Sequence, residues 1–417
     1  MIQNFESLVN IEKGLINRQI FSDPDLYAQE QEKIFARCWL YLGHESQLKN
    51  PDDFFTTYMG EEPILVTKNG QGKIAAFINA CRHRGNRICR LDHGNAKDFT
   101  CSYHGWLYDN KGDLCSIPHY KEAYQQSLNK AEWGLIPVAQ LATYKGLIFA
   151  TFDPQAPSLS FYLGEMKWYL DMLVDRLGGV EVIGGIHKWT VNANWKLAAE
   201  NFVGDMAHAG ITHISATRSG FTGGNSGKRS GFEMNPGGGH GAGGYWNEEG
   251  SGNFGLLGVS PEANAYYQEK LEEMEQRLGT VRGRHLSMVH GTVFPNFSFL
   301  YGTPTIRVFH PRGPEQTEVW SWCIVDKAAP DKVKEDLRLN YLRRFSPAGT
   351  WEQDDAENWV QATKSSRGTI SRRYPLNYQM GLGREEENKD LAGKAGFIFN
   401  EMNQRAFYQH WAQLMAE

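Results

Sequence analysis

Residues 81–106 read CRHRGNRICRLDHGNAKDFTCSYHGW, and within them Cys81, His83, Cys101 and His104 make the pattern C-x-H, seventeen residues, C-x2-H. Two short loops that converge on one metal group constrain the fold more than any other feature of this chain, because metal ligation and local folding are then one event. A structural zinc site is the first alternative, but such sites usually join Cys to Cys and His to His, as C-x2-4-C and H-x3-5-H. Here each loop offers one thiolate and one imidazole. That alternation suits two irons sharing a [2Fe-2S] cluster, with two Cys on one iron and two His on the other. Neutral imidazoles in place of two thiolates remove negative charge and raise the potential, so the group would serve as a one-electron relay and not as a strong reductant. Gly85 and Gly105 follow the ligand pairs and let the backbone turn tightly toward the sulfides, where amide N–H groups can donate hydrogen bonds.

A one-electron relay implies something to reduce, and residues 194–213, NWKLAAENFVGDMAHAGITH, offer a place for it. Strong helix formers and an apolar stripe of Trp195, Leu197, Ala198, Phe202 and Met206 predict a helix from Asn194 through Ala207, broken at Gly210. His208 and His213 are five apart, which on an unbroken helix sets them about 140° from each other, poor for one metal. A turn at Gly210 lets the second swing back. A lone His pair is more often structural than metal-binding, yet two His with one carboxylate and open positions is the facial triad of non-haem Fe(II). Asp205 stands three before His208, on the same face of the expected helix. A carboxylate on an apolar stripe is costly to bury without partners, and a satisfied structural carboxylate is the plainer account of it.

The stretches CRHRGNRICR and CSYHGW resemble the Rieske [2Fe-2S] domain of bacterial aromatic ring-hydroxylating oxygenases, specifically the large (α) subunit of the naphthalene/biphenyl dioxygenase group. The resemblance implies a mononuclear Fe(II) held by His208, His213 and a carboxylate from residues 345–355, FSPAGTWEQDD, and by the family pattern that carboxylate is Asp355. Trp351 and Asp355 stand at i and i+4 of an expected helix and face one way. Spacing alone does not separate Asp354 from Asp355, and acidic residues in a first turn, Glu352 among them, often only complement the helix dipole. The resemblance further implies that Asp205 joins a triad His to a Rieske His across a subunit boundary and that Asn201 lies near the iron. By the same match, Phe202, Met206, Ala209, Asn296, Phe345 and Trp351 line the substrate pocket, although ordinary core packing would account for each of them equally well. A mostly apolar pocket suits an aromatic, even polycyclic, hydrocarbon, cis-dihydroxylated with O2. The chain is shorter toward its C-terminus than larger hydrocarbon dioxygenases, which keeps an aromatic-acid or aromatic-amine hydroxylase as the second reading. A Rieske electron carrier without catalysis is the third. The implied assembly is an α3 or α3β3 oligomer, with a small β subunit as an optional partner.

At 417 residues, with 41% hydrophobic and 12% aromatic side chains, the chain has enough material for two domains. The expected class is α+β: a small all-β Rieske domain over 39–157 and a catalytic domain over 158–417 with an antiparallel sheet surrounded by helices. Residues 1–38 are expected to form a helical part, opened by Ser22-Asp23-Pro24, that packs with the catalytic domain. A net charge of −5 gives no basic field for nucleic acid. No apolar run reaches the length of a membrane span, the N-terminus lacks a signal peptide's features, and Cys38, Cys89, Cys115 and Cys323 show no disulfide spacing. These point to a cytoplasmic enzyme. Residues 219–258 are rich in Gly, and 239–244 match G-x-G-x-x-G. With no strand before them and no helix opening on them, a dinucleotide site is rejected, and a flexible lid or entrance loop near the active site is expected instead. The chain also lacks a P-loop or flavin motif, so the electrons for O2 must come from a separate ferredoxin or reductase.

Overall fold

The computed structural model describes residues 5–219, 230–250 and 258–417. Within Ala36–Leu159, which forms one unit, the runs PILVTK and KIAAFI become strands Glu62–Lys68 and Ile74–Ile78. Asn69 sets the turn between them, its Oδ1 accepting the N–H groups of Gln71 and Lys73 at 3.0 Å each, the local bonding that makes Asn a turn residue. Asp53–Met59 and His93–Asn95 complete a four-stranded antiparallel sheet. Two three-stranded sheets accompany it, one of Leu40–His44, Gln140–Tyr144 and Leu147–Thr151, the other of Asp98–Thr100, Leu107–Asp109 and Leu114–Ser116. Phe54, Leu65 and Phe77 pack with Phe99, Trp106 and Tyr108, and Cys81 and Cys101 are buried in the same cluster. The cysteine loops therefore start from inside a packed β core.

The other unit joins the chain up to Phe35 with Ser160–Glu417. Its frame is a nine-stranded antiparallel sheet among the described residues, running from Val180–Val191 through Thr317–Asp326, Thr305–Pro311, Phe297–Leu300, Leu286–Val293, Gly241–Trp246, Ser230–Asn235 and Lys394–Phe397 to the edge pair Glu386–Glu387. Helix Trp195–Phe202 lies against the middle strands, and the long helices Asp331–Phe345, Thr350–Ser366 and Met402–Ala416 pack around the sheet. At the N-terminus Asp23 caps helix Pro24–Glu30 through the N–H groups of Asp25 and Leu26, at 2.9 and 3.1 Å. The helix does not run to Cys38: it passes into a single π turn, Gln31–Phe35. Glu30 is fully buried, and its carboxylate accepts the Lys196 ammonium and the indole N–H groups of Trp195 and Trp411, the last two at 2.8 Å. Breaking a buried pair of this kind costs about 3–5 kcal/mol, so it ties the N-terminal helix to the two helices bearing those indoles.

The glycine-rich stretch is not a lid over 230–246. Ser230–Asn235 and Gly241–Trp246 are paired strands of the sheet; residues 220–229 and 251–257 of the expected loop lie outside the described residues. Its glycines are packing residues: a Cβ at Gly241 would meet the Val203 carbonyl at 2.5 Å, and one at Gly243 would meet Gly204 Cα at 3.1 Å. The run GHGAGG thus permits close backbone approach. No helix among the described residues is long and apolar enough to cross a membrane, and none of the six cysteines is in a disulfide.

Candidate metal centres and ring-binding cavity

The two cysteine loops fold alike. In the first, the Cys81 N–H donates to the Asn86 carbonyl and the Gly85 N–H to the Cys81 carbonyl; in the second, Cys101 donates to Trp106 and Gly105 to Cys101, with distances of 2.8 and 2.9 Å in both. Gly85 and Gly105 take left-handed φ values of +70° and +73°, the conformation that favours glycine. The Cys-to-Gly span is the same in both loops, so the difference between C-x-H and C-x2-H is absorbed inside one shared turn. The rings of His83 and His104 approach to 4.4 Å between centroids, and Cys81 and Cys101 are buried in one cluster. His83 lies parallel to Trp106 at 5.2 Å, and its Nδ1 is buried with no hydrogen-bond partner. Such an orphan costs about 1–3 kcal/mol unless something takes its lone pair, and an iron would. Each sulfur also faces a donor: the Tyr108 hydroxyl at 3.5 Å from Cys81 Sγ and the Asn86 amide at 3.6 Å from Cys101 Sγ. Burial pushes the Cys81 thiol up. At Cys101 burial pulls the same way, but the Tyr103 N–H and the Asn86 amide outweigh it and bring that thiol below its ordinary value, toward the thiolate that metal binding needs. The donor set fits a [2Fe-2S] cluster.

The second centre forms where the helix carrying Asn201 ends early. Helix Trp195–Phe202 stops well short of Ala207. The break is Gly204, at φ +140°, where a Cβ would collide with the Glu233 carboxylate and the Asn403 amide. Gly210 lies inside a helical turn, Ala209–Thr212. Asp205 is therefore in the bend and not on a helix face with His208. Its Oδ1 accepts the N–H groups of Ala207 and His208 at 3.1 and 3.3 Å, and its Oδ2 is 3.2 Å from His208 Nδ1. The bend brings the rings of His208 and His213 to 5.3 Å. Their Nε2 atoms are each 3.4 Å from Asp355 Oδ1, and the three ligand atoms all lie within 4.8 Å of one another.

Asp355 projects from helix Thr350–Ser366, and its buried Oδ1 accepts no hydrogen bond. Asp354 turns elsewhere, its Oδ2 lying 3.3 Å from His213 Nδ1. Each imidazole thus faces Asp355 through Nε2 and a second carboxylate through Nδ1: Asp205 for His208, Asp354 for His213. Carboxylates so placed are where the outer support of metal-ligating histidines would stand. Burial alone would lower the pKa of His208, but the Asp205 and Asp355 carboxylates outweigh it and raise it to about 10; a cation bound by the triad takes the place of that proton. Two imidazoles and one carboxylate with positions left open suit Fe(II). Glu352 does not act as a helix-dipole partner: it is buried in an ion pair with Arg307.

A cavity of about 110 Å³ opens on these three residues. Of the expected pocket residues, Phe202, Met206, Ala209, Phe345 and Trp351 line it, together with Asn201 and Asp205. Asn296 does not; it is buried in the turn after Val293, its amide donating to the Phe309 carbonyl at 3.0 Å. Phe345 stands edge-on to both Phe202 and Trp351, at 6.0 and 5.5 Å. The buried Arg307 guanidinium sits 4.6 Å from the Phe202 ring and 4.8 Å from Phe345, so a cation held by Glu352 backs the aromatic wall. Tyr245, Met288, His290 and Leu300 also line the cavity. Sequence reasoning missed them because they come from three separate strands whose local pattern is that of any sheet core; only the polar His290 inside the run SMVHGTV stood out as a signal.

Residues 162–417 match the catalytic domain of ring hydroxylating alpha subunits, and residues 38–144 match the Rieske [2Fe-2S] domain. The chain is 44% identical to the biphenyl 2,3-dioxygenase subunit alpha of Rhodococcus jostii, over 98% of this chain and 90% of the relative. It is likewise 44% identical to a benzene 1,2-dioxygenase subunit alpha of Pseudomonas putida, over 98% and 93% of the two chains. Among solved structures, naphthalene 1,2-dioxygenase from Rhodococcus sp., bound to indole, superposes with a TM-score of 0.88 at 38% identity over 97% of both chains. With the cysteine loops, the His208, His213 and Asp355 cluster and these full-length matches in hand, the chain belongs to the family of Rieske ring-hydroxylating oxygenase alpha subunits.

Proposed function

We propose that this chain is the terminal oxygenase component of a multicomponent dioxygenase that cis-dihydroxylates an aromatic hydrocarbon. The observation that carries the reading is the cavity itself, walled by Phe202, Met206, Leu300, Phe345 and Trp351 and open on His208, His213 and Asp355. Among the described residues no Lys or Arg lines it, so an aromatic carboxylate would find no cationic side chain there, whereas a flat apolar ring finds aromatic walls. The overall conversion joins an arene, O2, two electrons and two protons into a cis-dihydrodiol. When bound, the cluster supplies one-electron relay and the Fe(II) supplies O2 activation. The protein's part is to set the Nδ1 atoms of His208 and His213 beside Asp205 and Asp354, to keep Asp355 buried, and to bring the ring against Phe202 and Phe345.

The electrons come from outside the chain, and we assign their delivery to a ferredoxin and/or reductase. We further propose an α3 or α3β3 assembly, with Asp205 linking an iron-ligating His to a neighbour's Rieske His, and a cytoplasmic setting. The functional units are taken as 1–38 with 158–417, and 39–157. Reconstitution with a ferredoxin, a reductase, naphthalene or biphenyl and 18O2 tests the reading: both oxygens of a dihydrodiol should carry label. A singly labelled phenol as the primary product, or no product with an intact cluster and iron, would overturn it. Co-expressing a His104 variant with a His208 variant tests the assembly, since mixed oligomers should recover part of the activity.

A further inference from the structure

His290 lines the cavity but belongs neither to the triad nor to its supporting carboxylates. It is 6% exposed, and its Nε2 is buried with no hydrogen-bond partner. Strand Leu286–Val293, which carries it, is distorted at this point. The register slips opposite Gly243 and Tyr245, and Met288 takes a φ of +50°, disfavoured for a bulky residue and characteristic of functional sites. The distortion leaves the Met288 carbonyl 3.4 Å from His290 Nδ1. Across the strand pair Gly243 leaves room for the ring, since a Cβ there would stand 3.0 Å from His290 Cε1. Burial holds the imidazole neutral, its pKa pushed down to about 4. A neutral ring carries one N–H. Facing a carbonyl, Nδ1 takes that proton, which leaves Nε2 as a lone-pair acceptor with no donor.

We propose that His290 Nε2 accepts a hydrogen bond from the bound ring, so that the cavity favours aromatic substrates bearing an N–H or O–H donor over donor-free isosteres. The proposal goes beyond the hydrocarbon reading by adding donor-bearing aromatics to what the cavity takes, and it rests on the dioxygenase reading for identifying the cavity as the substrate site. The physical basis is that a buried unsatisfied acceptor carries a desolvation penalty which a donor-bearing ligand relieves, and sites with such groups discriminate by leaving them unpaired against the wrong ligand.

Indole, indene and benzofuran are near-isosteric probes that present a donor, neither group and an acceptor. Binding to the anaerobic, resting holoenzyme is measured by equilibrium dialysis, and the N–H stretch of bound indole by infrared difference spectroscopy. The ratio of indole to indene affinity should fall about fivefold in His290→Leu and be partly restored in His290→Gln, whose amide offers an acceptor. Benzofuran should bind less well than indene to the wild type, and this deficit should shrink in His290→Leu. The stretch should shift to lower frequency on the wild type and lose that shift in His290→Leu. An affinity ratio unchanged in His290→Leu, or a wild-type stretch that does not shift, would overturn the proposal. If His290→Leu does not fold, the wild-type spectrum and the altered shift in His290→Gln decide. Dihydrodiol formation from naphthalene is scored separately: its absence would remove the dioxygenase reading and leave the binding comparison standing.

Discussion

Replacing Asp355 and Asp354 one at a time by Asn tests which of the two adjoining carboxylates is the metal ligand and which its outer support. Asp355 Oδ1 is 3.4 Å from both Nε2 atoms, so Asp355→Asn removes the one carboxylate of the cluster and leaves its two imidazoles. Of the two imidazoles Asp354 approaches that of His213, its Oδ2 lying 3.3 Å from Nδ1 and accepting the Ser215 hydroxyl at 3.4 Å. Loss of such outer support typically weakens metal binding by about 10–100-fold, or about 1.4–2.7 kcal/mol. The Asp354 side chain is 25% exposed, which lets water replace part of its role and places Asp354→Asn near the tenfold end. The assay is iron per chain, with the cluster's own iron as an internal standard, followed by anaerobic Fe(II) titration of the depleted site. Wild type should hold about three irons, two of them in the cluster. Asp355→Asn should hold about two with an unchanged cluster spectrum, and Asp354→Asn about three at saturating Fe(II) with roughly tenfold weaker affinity. Iron retained in Asp355→Asn and lost in Asp354→Asn would refute the assignment.

Further outcomes follow from other parts of the fold. Burial pushes the Glu200 carboxyl up to about 8 against the Tyr408 and Tyr378 hydroxyls, which pull it down. The folded protein therefore keeps a proton there that the unfolded chain has released above about pH 4.3, and stability should fall as pH rises from there to about 8. Glu200→Gln should flatten that slope in melting temperature, and an unchanged slope would count against the buried carboxyl as its source. Gly204→Ala, which sets a Cβ against Glu233 and Asn403, should destabilise by on the order of 2–4 kcal/mol and disorder the mononuclear site; a wild-type melting curve would show that the bend is not strained by a side chain. His83→Cys should still assemble a cluster, with a potential lowered by on the order of hundreds of mV as thiolate replaces imidazole; an unchanged potential and optical spectrum would contradict the ligand assignment.

What the sequence determined by itself was local chemistry at short range. C-x-H and C-x2-H placed both cluster loops, because ligands two or three residues apart need no tertiary information to converge. The Asp23-Pro24 signal fixed where the first helix starts, and the acidic pair before Ala356 lay on a helix as its pattern required. The Asp355 choice needed the family resemblance, since adjacent carboxylates are indistinguishable by spacing. Tertiary structure decided what depends on contact between distant segments. The helix after Asn194 ends at Phe202, before Gly204 at φ +140°, where Glu233 and Asn403 leave no room for a side chain, neighbours no window around residue 204 contains. The glycines of 241–244 became strand, since their neighbours' backbones come too close for side chains. Asn296 and Glu352 turned to a carbonyl and a guanidinium of the one strand Thr305–Pro311. His290 acquired its meaning only when the sheet set its unpaired nitrogen into the cavity: burial is a property of the folded whole, and a single-residue pattern cannot encode it.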